Sequence, residues 1–367
     1  MAATLTKLER VMRTVRFEEV DRIATYDILE NDGVIEHYAG AVPDVPEGAR
    51  IKGKAIARCL DMTRMPGGPA EPGSYTDDEG FAWQVERWTR WICKRPFEDF
   101  EGFVEWVKRR IVVLRKENCD ARVLAQRTRE HIERHRSYFA EGALDPDDLP
   151  VLVLESGVGL TDTYALCGLE LHAMLLCTEP DLLEEWFEET HQCELRRVGA
   201  IADPALIPVA LPYDDLASKN GPLFDPVWLR AHFMPRLKQL VDAWHARDTV
   251  CLFHSDGNLM PILDDLAGAG IDGLNPIETC AGMSIAEVRR RQPHLFMAGG
   301  IDVSQLLRYA TPDEIRARCI EAIGEADGHG YFLGSTTEVF PSIPAENVVA
   351  MLETPKVLTA QEGEGGE

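Results

Sequence analysis

Short apolar runs alternate with longer amphipathic segments from about residue 145 onward. Such short runs are typical of parallel strands that are buried on both faces, while the longer segments repeat apolar residues at helical spacing. One of these segments carries Leu229, Phe233, Leu237, Leu240, Val241 and Trp244 at intervals of three and four. The alternation therefore predicts repeated strand–helix units and a parallel sheet.

Six strands are predicted in this part of the chain. They span residues 151–154, 206–211, 250–253, 273–276, 295–298 and 331–333. Before them, residues 4–18 read as a helix, residues 23–29 as a first strand, and a further strand is predicted within residues 81–91. The prediction is an α/β fold, a (β/α)8 TIM barrel with an irregular N-terminal region. Residues 1–355 are expected to form this one domain, and residues 356–367 an acidic disordered tail.

The composition of the 367-residue chain narrows the possible partners. Apolar residues make up 45%, enough for a large core, and 38 basic against 62 acidic residues give a net charge of −24. Nucleic acids and anionic membranes bind basic surfaces, so neither is an expected partner. The chain shows no signal-peptide pattern and no apolar run of roughly 18 residues, which predicts a cytoplasmic protein. Its nine cysteines show no CxxC spacing and so predict no disulfide framework.

Polar residues follow the predicted strands, where the active sites of such barrels lie. They are Glu30, Asn31, Asp32, Glu155, Tyr213, Asp214, Asp215, His254, Asp256, Glu278, Asp302, Ser335, Thr336, Thr337 and Glu338. Carboxylates dominate this set, so an acidic barrel mouth is expected. The sequence has no Gly-x-Ser-x-Gly elbow, P-loop or dinucleotide fingerprint, which argues against a serine hydrolase and a nucleotide site.

His254, Asp256 and Glu278 are the strongest candidates for chemistry. Side chains alternate along a strand, so His254 and Asp256 point to the same side. Imidazole and carboxylates are ordinary zinc ligands, and a catalytic zinc takes three of them with one open position. The same residues also suit acid/base catalysis without a metal, with His254 hydrogen-bonded to a carboxylate. The sequence leaves both interpretations open.

Asp214 and Asp215 form a second candidate pair. Adjacent strand residues face opposite sides, so one carboxylate can face the mouth while the other caps the next segment. Both are kept as catalytic candidates. The candidates for substrate contact are Asn31, Glu155, Lys219, Asp302 and Thr337.

Between residues 214 and 351 the chain carries a series of landmarks in a familiar order. They read DDLASKNGPLFDP, HSDGN, GIDGLNPIE, GGIDVSQLL, TPDEI, GYFLGS and PAENVVAM. In this order they resemble the uroporphyrinogen decarboxylase superfamily, which includes cobalamin-dependent methyltransferases. The opening KLERVMRTVRFEEVDRIATYD resembles the family's first helix and strand more weakly. The resemblance implies a (β/α)8 barrel with its site at the C-terminal ends of the strands.

The chain departs from two patterns of that superfamily. The decarboxylases carry Arg-Gln-Ala-Gly-Arg after the first strand, whereas residues 28–33 here read ILENDG, an acidic rim that would repel a polycarboxylate. The zinc methyltransferases use His-x-Cys and a later Cys, whereas this chain has His254-Ser255-Asp256 and no Cys near Thr337. An oxygen-rich site is better suited to polarising an ether or hydroxyl oxygen than to activating a thiol.

The resemblance implies a methyltransferase component of O-demethylase type. It would move a methyl group from a small methylated substrate, such as a methyl ether, to cobalamin on a separate corrinoid protein, since this chain lacks Asp-x-His-x-x-Gly. His254 would be a zinc ligand or an acid, Asp256 and Glu278 co-ligands, and Asp214 or Asp215 and Asp302 orienting groups. The alternatives are a decarboxylase or lyase acting on a small carboxylic acid without a corrinoid, and a non-catalytic ligand-binding barrel. A homodimer is left open as the assembly.

Overall fold

The structure is a computed structural model that describes residues 4–116 and 120–364. The strands are β1 Ala24–Thr25, β2 Met62–Arg64, β3 Gly73–Thr76, β4 Ala82–Val85, β5 Arg90–Lys94, β6 Val151–Gly157, β7 Val209–Tyr213, β8 Ala217–Ser218, β9 Gly221–Pro222, β10 Val250–His254, β11 Gly273–Asn275, β12 Phe296–Ala298 and β13 Tyr331–Leu333. The helices are α1 Lys7–Val15, α2 Asp32–Ala39, α3 Gly48–Cys59, α4 Phe100–Lys116, α5 Ala121–Gly142, α6 Leu160–Cys167, α7 Leu169–Thr178, α8 Pro180–Ile201, α9 Pro226–Trp228, α10 Met234–His245, α11 Leu263–Gly268, α12 Ile285–Arg291, α13 Leu306–Tyr309, α14 Pro312–Glu325 and α15 Ala345–Glu364.

Eight parallel strands form a barrel. Their order is β1, β13, β12, β11, β10, β7, β6 and β2, and a parallel bridge between Tyr26 and Met62 joins the two ends. Side chains that include Leu252, Phe296 and Phe332 fill the interior, and Val11 of α1 packs with them. The predicted (β/α)8 barrel is confirmed, and the carboxyl ends of its strands meet at one mouth.

Helices cover the outside of the barrel because each buries one apolar face on the strands. The segment predicted from residues 229–244 is a π-helical turn, Leu229–Phe233, followed by α10. Leu237, Leu240 and Trp244 are fully buried there. The Trp244 indole nitrogen also finds a partner, donating to Ser156 Oγ of β6 at 2.9 Å. The helical spacing in the sequence therefore identified this packing face correctly.

The second barrel strand does not lie within residues 81–91, where it was predicted. That stretch contributes to an antiparallel sheet, β3–β4–β5, whose residues are exposed or half-buried outside the barrel. The barrel strand is instead β2, which has three residues and ends in Arg64. A run this short carries too few apolar residues to stand out, whereas the tryptophan-rich hairpin has strong strand propensity.

Barrel closure depends on a glycine next to β13. A Cβ at Gly334 would overlap the backbone carbonyl oxygen of Tyr26 beside β1. We expect Gly334→Ala to lower the free energy of unfolding by about 1–3 kcal/mol, because the two strands must separate. Gly324→Ala is the matched control, since a Cβ has open space there within α14 and alanine favours helix by about 1 kcal/mol. Urea denaturation of both variants checks this, and equal midpoints would contradict it.

The last helix of the chain extends past the predicted end of the domain. Helix α15 runs from Ala345 to Glu364 and so crosses the predicted boundary at residue 355, because helix-forming residues such as Lys356 and Leu358 continue its pattern. Residues 365–367 of the predicted tail lie outside the described residues. A single domain over residues 1–355 stays a prediction. Among the described residues, no helix combines the length and the apolar character needed to cross a bilayer.

Candidate functional site

Three side chains converge at the barrel mouth, and we call Asp215, His254 and Asp256 the mouth cluster. His254 is the last residue of β10, Asp256 follows it, and Asp215 follows the neighbouring β7. His254 Nε2 lies 3.9 Å from Asp215 Oδ1 and 3.9 Å from Asp256 Oδ1. One ligand atom from each residue lies within 4.8 Å of the other two. Two adjacent parallel strands thus bring a nitrogen and two carboxylates together.

The electrostatics of the mouth cluster suit a cation or a shared proton. Burial and the positive charge of Arg64 lower the pKa of His254 to about 3, so its imidazole is neutral, the form that binds metals. Burial and the negative charges of Asp215 and Glu278 raise the pKa of Asp256 to about 7. Asp256 Oδ1 is buried and has no hydrogen-bond partner among the described residues. A buried oxygen without a partner is costly, and a proton or a metal ion would satisfy it.

Asp215 is held in place by two residues of helix α6. Its backbone carbonyl accepts a hydrogen bond from the Tyr164 hydroxyl at 2.6 Å, and its N–H donates to Thr161 Oγ1 at 2.7 Å. Its carboxylate accepts from the Asp256 backbone N–H at 3.3 Å. The loop geometry therefore fixes this carboxylate beside His254.

Asp214 faces away from the mouth cluster. Its carboxylate is fully buried and accepts backbone N–H groups of Val158 at 2.9 Å and Gly159 at 3.1 Å, as well as that of Thr161. Burial raises the pKa of Asp214 to about 8, against the lowering effect of these donors. The predicted division of the pair is observed, with Asp214 anchoring the start of α6 and Asp215 facing the mouth. The structure thus gives Asp214 a structural position rather than one beside His254.

Glu278 is not a member of the mouth cluster. Strand β11 ends at Asn275, and the chain then turns so that Glu278 Oε2 accepts the Gly257 backbone N–H at 2.5 Å. Its negative charge still acts on Asp256. Both β7 and β11 pair with β10, but Glu278 lies three residues beyond the end of β11, whereas Asp215 lies two residues beyond the end of β7. Asp215 therefore takes the third position that the sequence had assigned to Glu278.

Three of the predicted substrate-contact residues have other surroundings. Asn31 is buried, caps α2 and donates to the carbonyl oxygens of Phe340 at 2.7 Å and Ile343 at 2.8 Å. Asp302 accepts the backbone N–H groups of the turn that precedes α13. Lys219 is exposed in the turn between β8 and β9. Asn31 and Asp302 thus organise the backbone.

The other two candidates, Glu155 and Thr337, lie among charged side chains of the mouth. Glu155 Oε1 accepts from Arg64 Nη1 at 3.0 Å. The Thr337 hydroxyl donates to the carboxylate of Glu338. The charge of Glu338 raises the pKa of Asp256, after the larger effects of burial and the nearer carboxylates. Their contact with a substrate stays a prediction.

The sequence interpretation missed Arg64, the last residue of β2. Its guanidinium reaches His254 Nδ1 at 2.7 Å, besides its contact with Glu155, and its Nε lies 3.3 Å from the Tyr26 hydroxyl. Asp27 was also missed, and it accepts hydrogen bonds from the backbone N–H and hydroxyl of Ser335 at 2.9 and 2.8 Å. The only signal for Arg64 was a short apolar–polar step before the Pro/Gly-rich stretch 65–80.

A second group of potential ligands lies at the opposite end of β10. His245, Cys251 and Asp272 place one ligand atom each within 4.8 Å of the others. His245 Nε2 lies 2.7 Å from Asp272 Oδ2, which also accepts the Cys251 backbone N–H at 2.7 Å. These contacts satisfy the carboxylate, and the end of a barrel where strands begin serves stability rather than catalysis.

An apolar surface cavity of about 690 Å³ lies between α7 and α9, outside the barrel. Phe224, Trp228 and Leu176 are among its lining residues. Tyr164 separates it from the mouth, because its ring packs near Phe224 while its hydroxyl contacts the Asp215 carbonyl. The cavity lacks the converging carboxylates of the mouth cluster. We therefore place the candidate site at the mouth cluster.

The chain is similar to proteins of two activities. Residues 208–357 match the family model of uroporphyrinogen decarboxylase. Over 144 residues the chain is 29% identical to the uroporphyrinogen decarboxylase of Synechococcus sp. (strain JA-2-3B'a(2-13)), a match that spans 39% of this chain and 39% of that curated relative. A solved methyltransferase from Methanosarcina mazei has a TM-score of 0.67 at 20% identity, covering 96% of this chain and 99% of the other. The likeness to the methyltransferase is one of fold, and the family match confirms the resemblance seen in the sequence.

Proposed function

Because residues 208–357 match the family model of uroporphyrinogen decarboxylase and the fold is that of a solved methyltransferase, we propose that the protein is a methyltransferase that demethylates a small methylated substrate such as a methyl ether. A corrinoid on a separate protein would accept the methyl group. The observation that carries the proposal is the mouth cluster, in which a neutral imidazole and two carboxylates meet at the mouth of the barrel.

The residues of the mouth cluster fit a zinc-like ion. Asp215, His254 and Asp256 would supply one nitrogen and two oxygen ligands, and a catalytic zinc keeps one further position for substrate. The unpartnered, buried Asp256 Oδ1 supports this fit, because a cation would satisfy it. When bound, such an ion would polarise an ether oxygen.

Demethylation of an ether breaks the bond between the methyl carbon and the oxygen. The oxygen keeps the electron pair and must be neutralised, while the methyl group goes to the acceptor. Asp256, whose pKa is raised to about 7, can hold a proton for that oxygen when no cation is bound. The mouth cluster thus offers what the leaving oxygen needs under either interpretation.

The charge of the mouth supports a substrate that is not a polycarboxylate. Carboxylates of Glu155, Asp215, Asp256, Glu278 and Glu338 surround the mouth, and Arg64 is already paired with Glu155. A substrate with several carboxylates would meet strong repulsion there. This supports a methylated substrate over a tetrapyrrole for this chain.

The test is methyl transfer to chemically reduced cobalamin, followed by the absorbance change that accompanies methylcobalamin formation. We expect at least one member of a panel of aromatic and aliphatic methyl ethers to give demethylated product and methylcobalamin in equal amounts. The panel is repeated with candidate corrinoid proteins in place of free cobalamin. The absence of demethylated product with every donor and acceptor would overturn the proposal.

A decarboxylase or lyase is the second candidate, and the position of Arg64 favours it. Its guanidinium lies beside His254, so a single substrate carboxylate has a cation to bind. When the bond to the carboxylate breaks and carbon dioxide leaves, the carbon that keeps the electron pair would take a proton from His254. This activity needs no corrinoid. Carbon dioxide released from a small carboxylic acid, without any methyl acceptor, would distinguish it from the first candidate.

A further inference from the structure

His254 Nδ1 lies close to two groups, one of which needs a hydrogen-bond acceptor and the other a donor. Arg64 Nη2 lies 2.7 Å from it, and Asn275 Oδ1 lies 2.9 Å from it. A guanidinium can only donate, whereas an amide oxygen can only accept. A neutral imidazole carries one proton, so Nδ1 can satisfy one of these partners and not both. The choice decides what Nε2 presents to Asp215 and Asp256.

If Nδ1 accepts from Arg64, the proton of the imidazole is on Nε2. This N–H then points toward the carboxylates of Asp215 and Asp256, each 3.9 Å from Nε2. In this tautomer His254 is a proton donor and cannot ligate a metal, because Nε2 has no free lone pair. The carboxylates provide a favourable environment for that N–H.

If Nδ1 instead donates to Asn275, the lone pair of Nε2 faces the two carboxylates and completes a three-ligand set. The Asn275 amide is oriented for this, since its Nδ2 donates to the Ala298 carbonyl at 3.4 Å and its oxygen points to His254. Metal-binding histidines characteristically donate their other ring N–H to an oxygen acceptor. Arg64 opposes this tautomer, because its N–H groups would meet the N–H of the ring.

Arg64 has two further partners that would hold it if it released His254. Its Nη1 lies 3.0 Å from Glu155 Oε1, and its Nε lies near the Tyr26 hydroxyl. Glu155 is half-exposed, while the Arg64 side chain is only 20% exposed. The guanidinium can therefore move away from Nδ1 and keep its contact with Glu155, which would leave Nδ1 to Asn275.

We propose that Arg64 is a positioning residue that selects the tautomer of His254, keeping the proton on Nε2 for as long as Arg64 donates to Nδ1. Binding of a metal at the mouth cluster and donation from Arg64 to His254 are then mutually exclusive. The mutual exclusion of metal and Arg64 rests on the proposed metal-assisted function, whereas the selection of the tautomer concerns the protein without metal.

The tautomer is read directly by nitrogen NMR of protein labelled at histidine side chains and stripped of metal with a chelator. The signal of His254 is assigned from its loss in His254→Gln. We expect wild type to carry the proton on Nε2 and Arg64→Met to carry it on Nδ1. Arg64→Lys, which restores a donor, is expected to return part of the Nε2 form. A wild type with the proton on Nδ1, or no change in Arg64→Met, overturns the proposal.

Metal affinity provides the second measurement, by calorimetric titration of the stripped protein with Zn²⁺. We expect Arg64→Met to bind on the order of tenfold more tightly and Asn275→Ala on the order of tenfold more weakly, as for other residues that orient a ligating histidine. Arg90→Met is the matched control, because it removes an exposed arginine of β5 that contacts Tyr75 rather than the mouth. It should leave the affinity unchanged.

The two measurements separate the two proposals. If wild type and all variants bind no zinc while the tautomer moves as expected, the role of Arg64 stands and the metal-assisted function falls. If zinc binds at His254 with the same affinity in wild type and Arg64→Met, mutual exclusion is overturned. Circular dichroism and urea midpoints confirm that each variant compared is folded.

Discussion

His254→Ala is expected to lower the rate of methyl transfer by on the order of 100-fold or more. Removal of an acid/base group usually has an effect of this size, and removal of a metal ligand should have at least as large an effect. The reason is that His254 is the residue of the mouth cluster that both Asp215 and Asp256 approach, at 3.9 Å each. The rate of methylcobalamin formation at saturating substrate measures the effect. The metal contents of wild type and His254→Ala, both purified without chelators, show whether the variant has lost a metal ligand or an acid/base group.

His245→Ala is the matched control for this prediction. His245 also pairs with a carboxylate, Asp272, but at the opposite end of β10. Its loss should leave the rate within about twofold, since active sites of these barrels lie at the C-terminal ends of strands. Zinc present in wild type and absent from His254→Ala would support a metal ligand. An unchanged rate in His254→Ala would contradict both catalytic roles given to His254, whereas a wild type that turns over no substrate would favour a ligand-binding barrel.

Asp61→Ala is expected to have the largest effect on stability, lowering the free energy of unfolding by about 3–5 kcal/mol. Asp61 is fully buried just before β2. Its carboxylate accepts from Arg10 at 2.8 Å, from Arg22 at 2.7 and 2.8 Å, and from the Thr25 backbone N–H at 2.9 Å. Without Asp61, the buried Arg10 loses one of its two carboxylate partners and the Thr25 N–H loses its acceptor. Urea denaturation, read from the midpoint at constant slope, measures the change.

The pH dependence of stability provides a second readout for Asp61. Burial by itself would raise the pKa of Asp61, but the charges of Arg22 and Arg10 outweigh burial and hold the pKa below its usual range. The carboxylate therefore binds its proton less readily in the folded protein than in the unfolded chain. Its contribution is fully present above the unfolded pKa of about 3.9 and is lost as pH falls through the folded value. Asp61→Ala should lack this acid-side loss.

Asp242→Ala is the control for Asp61→Ala. Asp242 pairs with Lys238 on α10 at 2.8 Å, but both side chains are more than half exposed. Exposed pairs of this kind contribute at most about 1 kcal/mol. If Asp242→Ala lowered the free energy of unfolding as much as Asp61→Ala does, loss of any paired carboxylate would be shown to destabilise the barrel. An Asp61→Ala midpoint equal to that of wild type would contradict the account of the buried network.

Most of the barrel was readable from the sequence, and one strand was not. Strands such as β10 and β13 are buried on both faces, and that burial requires the continuous apolar runs by which they were predicted. Strand β2 has three residues and ends in an arginine, so neither its length nor its composition separates it from a loop. The hairpin sheet β3–β5 has the composition of strands but lies outside the barrel. Propensity indicates local conformation and does not tell which sheet a strand joins.

The sequence by itself determined that His254 and Asp256 share one side of a strand end, because that follows from the alternation of side chains along β10. It also determined an acidic mouth, because carboxylates follow several strands. Only the tertiary structure decided that Asp215 rather than Glu278 joins them, and that Arg64 reaches His254 from 190 positions away. Which strand ends become neighbours depends on the order and stagger of the closed sheet, and that order arises from packing of the whole barrel rather than from any local pattern.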